Sequence, residues 1–446
     1  MSSISKTLKP AFQKALLGSF LYIIIFLFSN INFIKTSLED RSFDSLNKRL
    51  ISHSPVKLNN APNVIVLGID DKYLQDNQMM DKKDFTNNFG YMFPRNKLSN
   101  IIQELDLISS INRPKALFID YDFTYFSLVN NQTPSKEDLE FLNVLKQKRN
   151  YIIVLPKTNK YNFIESSNDP KIQELIKNKK LIFVSTGFAV SGDHASRRFF
   201  PYEELYNSQN LKLKKYEHAT LALWQLSINN RVDIKAITEN FKNQDVVENR
   251  IIFKAYKESS EKYIKYSNWE NLTYFSASIH IDEIIEEKFK DSIIMVGATY
   301  RSSPDVFNIN TMSKDNFLYG IELHAQTLMT HFYLNGGLNY FNIWISLVII
   351  FILIFVIEVI CSTFCEFTSF KLSMLSNLLV SIFMMYMASY LIFIYYHYWF
   401  NWAIPLLLGQ FSKFYWLLKK EILERTFNYK LFEKKDTGDL TEEEGW

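Results

Sequence analysis

Apolar residues crowd the two ends of the chain, and a long middle alternates short apolar runs with polar ones. Four stretches are nearly all apolar: residues 15–34, 343–360, 372–396 and 402–418. A bilayer core takes roughly 20 residues of helix, which the first three supply. The fourth is short and contains Pro405 and Lys413. A lysine at mid-bilayer costs about 2.5–3.5 kcal/mol, but near a helix end it reaches the headgroups. The fourth is read as a span because Lys419 and Lys420 would otherwise be left on the outer side. Lys6, Lys9 and Lys14, with no acidic residue among them, place the N-terminus in the cytoplasm.

The resulting layout is a cytoplasmic N-terminus (1–14), a first transmembrane helix (15–34), an exported region (35–342), three more transmembrane helices (343–360, 372–396, 402–418) and a cytoplasmic tail (419–446). Tyr395, Tyr396, Tyr398 and Trp399 form an aromatic belt at the outer face, and Glu358 falls near the inner one. The 15–34 stretch lacks a small-residue cleavage pattern, so it is expected to stay as an anchor.

Within the exported region, "VIVLGID" (64–70), "KALFID" (115–120), "YIIVLP" (151–156), "LIFVSTGF" (181–188) and "SIIMVGAT" (292–299) are short, apolar and β-branched. That is the pattern of strands buried on both faces. "RIIFKAY" (250–256) and "NLTYFSA" (271–277) also predict strands. Helical spacing follows Pro94 and recurs at 136–148, 217–226, 280–289 and 321–334. Strands alternating with helices predict an α/β domain, a mostly parallel sheet covered by helices. Ligands of such sheets bind beyond the carboxyl ends of the strands, where Asp70, Asp71, Asp120, Asp122 and Thr299 all fall.

Composition narrows this further. The formal net charge of +3 gives no bias toward nucleic acid. Cys361 and Cys365 are the only cysteines, so the exported region has no disulfide. No Walker loop, dinucleotide fingerprint, nucleophile elbow or zinc spacing is present. Neither a catalytic residue, a cofactor nor a metal is expected. The paired aspartates suit strand-end caps better than acid–base work. Arg95 follows a helix-opening proline and suits a salt bridge, with Asp70 or Asp71 as partner, or an anionic ligand. Asp193, His194, Arg197 and Arg198 sit in a Gly/Ser-rich turn that reads as a solvated loop. Glu322 and His324 lie two apart on a helix and do not face the same way. Asn335, Gly336 and Gly337 stop the helix over 321–334, and the two glycines are expected to form a flexible joint that carries a signal to the next span.

The order of several segments resembles the CHASE sensory domains of the second type, extracellular modules of bacterial histidine kinases and nucleotide cyclases. The matching pieces are "VIVLGIDDKYL", "FPRNKLSNIIQEL", "RPKALFIDYDF", "GFAVSGDHASRRFFPY" and the closing "GAT…GIELHA", over about residues 40–335. The resemblance implies a sensor in the bacterial inner membrane and names no ligand; Asp70, Asp71, Arg95, Asp120, Asp122, Thr299 and Asp305 are the ligand-binding candidates by their place at or near the strand ends. Tyr300 and Arg301 replace the small residues usual after "GAT". About 28 residues follow Leu418, too few for a kinase or cyclase. A stand-alone member is therefore expected. It would work with the lipid bilayer, with a protein partner in the membrane or cytoplasm, and potentially as a homo-oligomer. The alternatives are a docking platform in an envelope assembly and, more weakly, an exported hydrolase.

Overall fold

The computed structural model describes residues 2–27, 39–52, 56–81, 89, 92–108, 111–126, 134–158, 161–191, 194–210, 212–229, 250–253, 256–258, 264–278, 286–309, 317–336, 339–340, 343–365, 370–400, 403, 406–407, 409–410 and 415. By internal packing the chain divides into two units, Met1–Phe43 with Asn339–Trp446, and Asp44–Leu338.

The second unit is built on one eight-stranded sheet. Its strands are β1 (Val64–Ile69), β2 (Ala116–Asp120), β3 (Ile152–Pro156) and β4 (Leu181–Val184), then, after four strands outside the sheet, β9 (Tyr256–Glu258), β10 (Ile264–Ser267), β11 (Leu272–Ser276) and β12 (Ile293–Ala298). Their order is β4-β3-β2-β12-β1-β11-β10-β9. The first six in that order run parallel, and the last two pair antiparallel at one edge. The fold is thus the α/β arrangement that the apolar runs predict.

Every residue of β1 and β12 is buried, because helices cover both faces. Ile65, Leu67 and Ile69 face a core shared with α3 (Asp71–Asp76), α4 (Arg95–Leu107), α5 (Lys136–Leu145) and α6 (Pro170–Lys177). The opposite face packs on α7 (Ala219–Asn229) and α8 (Gly320–Leu334). α1 (Ser2–Leu27) and α2 (Glu39–Ser52) precede the sheet. Two antiparallel hairpins, β5–β6 (Phe188–Val190, Ser196–Phe199) and β7–β8 (Tyr202–Tyr206, Leu213–Glu217), lead into α7. A third, β13–β14 (Val306–Asn308, Phe317–Tyr319), leads into α8.

Several sequence expectations need correction here. "LIFVSTGF" is two strands broken at Ser185, whose amide bonds the Glu217 carbonyl at 2.8 Å and so leaves the sheet. Glu217 belongs to β8, and α7 starts at Ala219. "RIIFKAY" contributes an isolated bridge from Arg250 to Arg198, and a strand begins only at Tyr256. Arg197 and Arg198 are not in a solvated loop. Both are buried on β6, with Arg197 holding Asp44 through bonds of 2.9–3.1 Å and Arg198 donating to Ser191 at 2.9 Å. Asp193 and most of the helix expected over 280–289 lie outside the described residues, and 286–289 form a single 3-10 turn.

In the first unit, α9 (Ile343–Cys365) and α10 (Phe370–Tyr396) are long apolar helices. The start of α9 and the end of α10 are linked by a short parallel pairing of β15 (Asn339–Tyr340) with β16 (Tyr398–Trp399). α1 lies antiparallel to α9: Gly18 abuts Ile354, and Ile23 shares an apolar groove with Trp344. Lys14 Nζ meets Glu358 Oε2 at 2.8 Å, and Glu358 is 5% exposed. The acid is therefore a buried partner, not a group reaching for the headgroups. Four spans were expected. Among the described residues two helices are long and apolar enough to cross a membrane, by length and composition: Trp344–Cys361 and Leu378–Tyr396. α1 carries its lysines in its first half, and the rest of its apolar run, 28–34, falls outside the described residues, as does most of 402–418.

Candidate functional site

The sheet brings Asp70, Asp120 and Thr299 to one edge, because β1, β2 and β12 are parallel neighbours in register. Gly68 and Asp120 both pair with Gly297. Asp305 arrives from the loop after β12. Its backbone carbonyl accepts from Gly320 N–H at 3.0 Å, and its carboxylate fills the space where a Cβ on residue 320 would sit, 2.0 Å from Oδ2. Only glycine lets α8 begin beside that carboxylate.

Two of the acids serve local structure. Asp70 Oδ1 caps α3, accepting from Tyr73 N–H at 2.9 Å and from the Ser276 hydroxyl at 2.8 Å. Burial raises its pKa against the pull of those bonds, and the charge of Asp71 adds to the rise. Asp71 accepts from Arg301 N–H at 2.9 Å and pairs with its exposed guanidinium at 3.3 Å. Thr299 shares a 2.7 Å hydrogen bond with the Tyr274 hydroxyl.

Asp120 and Asp305 behave differently. Burial pushes the Asp120 carboxyl well above the usual range, and the Asp305 charge adds to the rise. Burial lifts Asp305 to about 6. Two carboxyl groups in one another's field inside a low-dielectric edge do not both ionise at neutral pH without a large cost. Of the two, Asp120 is the one that burial and its neighbour's charge push up further. His324 Nε2 lies 3.7 Å from Asp120 Oδ2, too far for a hydrogen bond. Its ring packs edge-on to Phe118 at 5.3 Å and against Phe188 at 4.7 Å. Glu322 turns elsewhere and accepts from Tyr319 N–H at 3.2 Å. The Tyr121 hydroxyl is buried with no hydrogen-bond partner, and burial raises its pKa far up, helped by Tyr300 and Asp120.

Arg95 and Asp122 stand at the same edge but apart from that pair. Arg95 donates to Asp138 and to the Tyr125 carbonyl, with its guanidinium over the Phe163 ring at 4.3 Å. Its partner is Asp138, not Asp70 or Asp71. Asp138 is fully buried and also caps α5 with Ser135. Asp122 Oδ1 accepts from the Thr124 amide at 2.8 Å and from the Thr124 hydroxyl.

A histidine relay that sequence reading did not foresee lies between α7 and α8. The Gly336 carbonyl at 2.9 Å makes His331 Nδ1 the donor, so Nε2 must accept. The Thr220 hydroxyl, 3.0 Å away, therefore donates to it, and the same hydroxyl lies 2.8 Å from His218 Nδ1. Burial drives His331 and His324 down to about 3, and His218 well below its ordinary value. All three are neutral. Gly336 has φ +107°, and a Cβ there would lie 2.9 Å from the Trp224 ring. Its amide bonds the His331 carbonyl at 2.8 Å, and Asn335 sits in the left-handed region at φ 53°. α8 therefore ends in a fastened turn where a loose joint was expected. Gly337 lies outside the described residues.

Among the described residues no group of three His, Cys, Asp or Glu is arranged to hold a metal ion. A family model for the CHASE2 domain matches residues 19–359. No curated protein and no solved structure matches the chain.

Proposed function

The chain belongs to the CHASE2 domain family, and from that premise we propose that its α/β unit receives a signal outside the cytoplasmic membrane and relays it to a separate partner protein. CHASE2 domains are extracellular sensory modules. The observation that carries the reading is the convergence of Asp70, Asp120, Thr299 and Asp305 on the carboxyl edge of the sheet, beside the start of α8. A signal that alters this edge acts on the helix preceding α9. The chain is read as working by binding, without catalysis.

Four membrane helices, with both termini cytoplasmic, fit this role. The antiparallel packing of α1 on α9, with Lys14 bonded to Glu358, supports α1 as the first of them. Co-purification from native membranes, followed by mass spectrometry, tests the proposal. Recovery of a kinase or cyclase lacking its own sensor is the expected result. Recovery of envelope-assembly or secretion machinery alone would overturn it in favour of a docking platform.

A further inference from the structure

A cavity of about 310 Å³ opens beside the end of β2, within the size range of small-molecule pockets. Among the described residues its wall includes Phe93, Tyr121, Phe123 and Tyr125, and its charged groups are Arg95 and Asp122. Phe93 and Tyr121 lie 4.8 Å apart with their rings tilted by 31°.

The two charges are not equivalent. Arg95 is neutralised by buried Asp138, its two terminal nitrogens are bonded, and one face is covered by Phe163. Asp122 is exposed, and its Oδ1 accepts from the neutral amide and hydroxyl of Thr124. With Arg95 and Asp138 cancelling, the described residues of the wall carry one net negative charge. An aromatic ring attracts cations, not anions, over its face; in this wall Phe123 already stacks on Phe141 and meets Arg95. An anion would meet Asp122 and find both terminal nitrogens of Arg95 already engaged.

We propose that this cavity binds an organic ammonium cation, its head paired with Asp122 and its apolar body against Tyr121 and its aromatic neighbours. The inference deepens the sensory reading, on which it rests for its biological purpose, by naming the class of signal.

The test uses the full chain in lipid nanodiscs, titrated calorimetrically with tetramethylammonium, phenethylammonium and 1,4-diaminobutane. The controls are 2-phenylethanol, which is neutral, and phenylacetate, which is an anion. At least one cation is expected to bind saturably at one site, and both controls at least about tenfold more weakly. Asp122→Asn should weaken the cation by at least about tenfold, the loss of one charge-assisted contact. Asp122→Glu, which keeps the charge if the Thr124 turn is disturbed, should retain binding within a few-fold. Absence of saturable binding by all three cations, phenylacetate as the tightest probe, or undiminished binding in Asp122→Asn would each overturn the proposal. Partner recovery from native membranes separates the two readings. A partner found without cation binding removes this inference and leaves the sensory role. Cation binding with only envelope machinery recovered keeps the pocket and removes that role.

Discussion

Burial lifts the pKa of Asp305 to about 6 from an ordinary 3.8. An acid whose folded value is raised contributes stability that is full below the unfolded value and lost as pH rises through the folded one. Asp305→Asn cannot ionise, so its stability relative to wild type should climb between about pH 4 and 6 and level off above, by on the order of 2 kcal/mol. Denaturant unfolding at a series of pH values checks this, and a pH-independent difference would contradict it. The buried histidines act with the opposite sign: their lowered values contribute above about 6.5 and are lost as pH falls. The mutant-minus-wild-type comparison cancels them. Arg95→Met should cost about 3–5 kcal/mol, since it strands Asp138 as a buried charge. Gly336→Ala should destabilise by about 1–2 kcal/mol, through its positive φ and the Trp224 ring. A stiffened, more stable variant would restore the flexible joint. The sequence located the edge acids by their place after apolar runs, but it did not reveal their partners. Asp138 lies 43 residues from Arg95, and nothing local marks it.

At the scale of elements, the apolar strands were legible because burial on both faces removes polar alternation altogether. The hairpins over 188–217 were not. Their strands are short and largely polar, and β6 buries two arginines that read as surface residues. Helices α2 and α6 also escaped notice, since their registers hold few apolar residues: "EDRSFDSLNKRLIS" and "PKIQELIK". The pairing of α1 with α9 depends on a contact 344 residues apart. It yields a direct prediction. Cysteines placed at Gly18 and Ile354, in a background with Cys361 and Cys365 replaced by serine, should cross-link in membranes. Cysteines at Gly18 and Leu379, a residue exposed on α10, should not. Equal cross-linking of both pairs would contradict the packing.

For the whole molecule, the family match spans residues 19–359 and so takes in most of the chain. The sequence showed this scale best, because the order of apolar runs, strand ends and glycines is read directly along the chain. The number of spans was less legible, since the last apolar stretch is interrupted by Pro405 and Lys413 and the first follows Lys6, Lys9 and Lys14 closely. The central claim is that the α/β unit faces outward and receives its signal there. The most direct measurement is thiol labelling in intact cells. The full chain, with Cys361 and Cys365 replaced by serine, carries one cysteine at Leu213, an exposed position on β8. It is treated with a membrane-impermeant maleimide before and after permeabilisation. An outward-facing unit predicts full labelling before permeabilisation, and labelling only afterwards would contradict it.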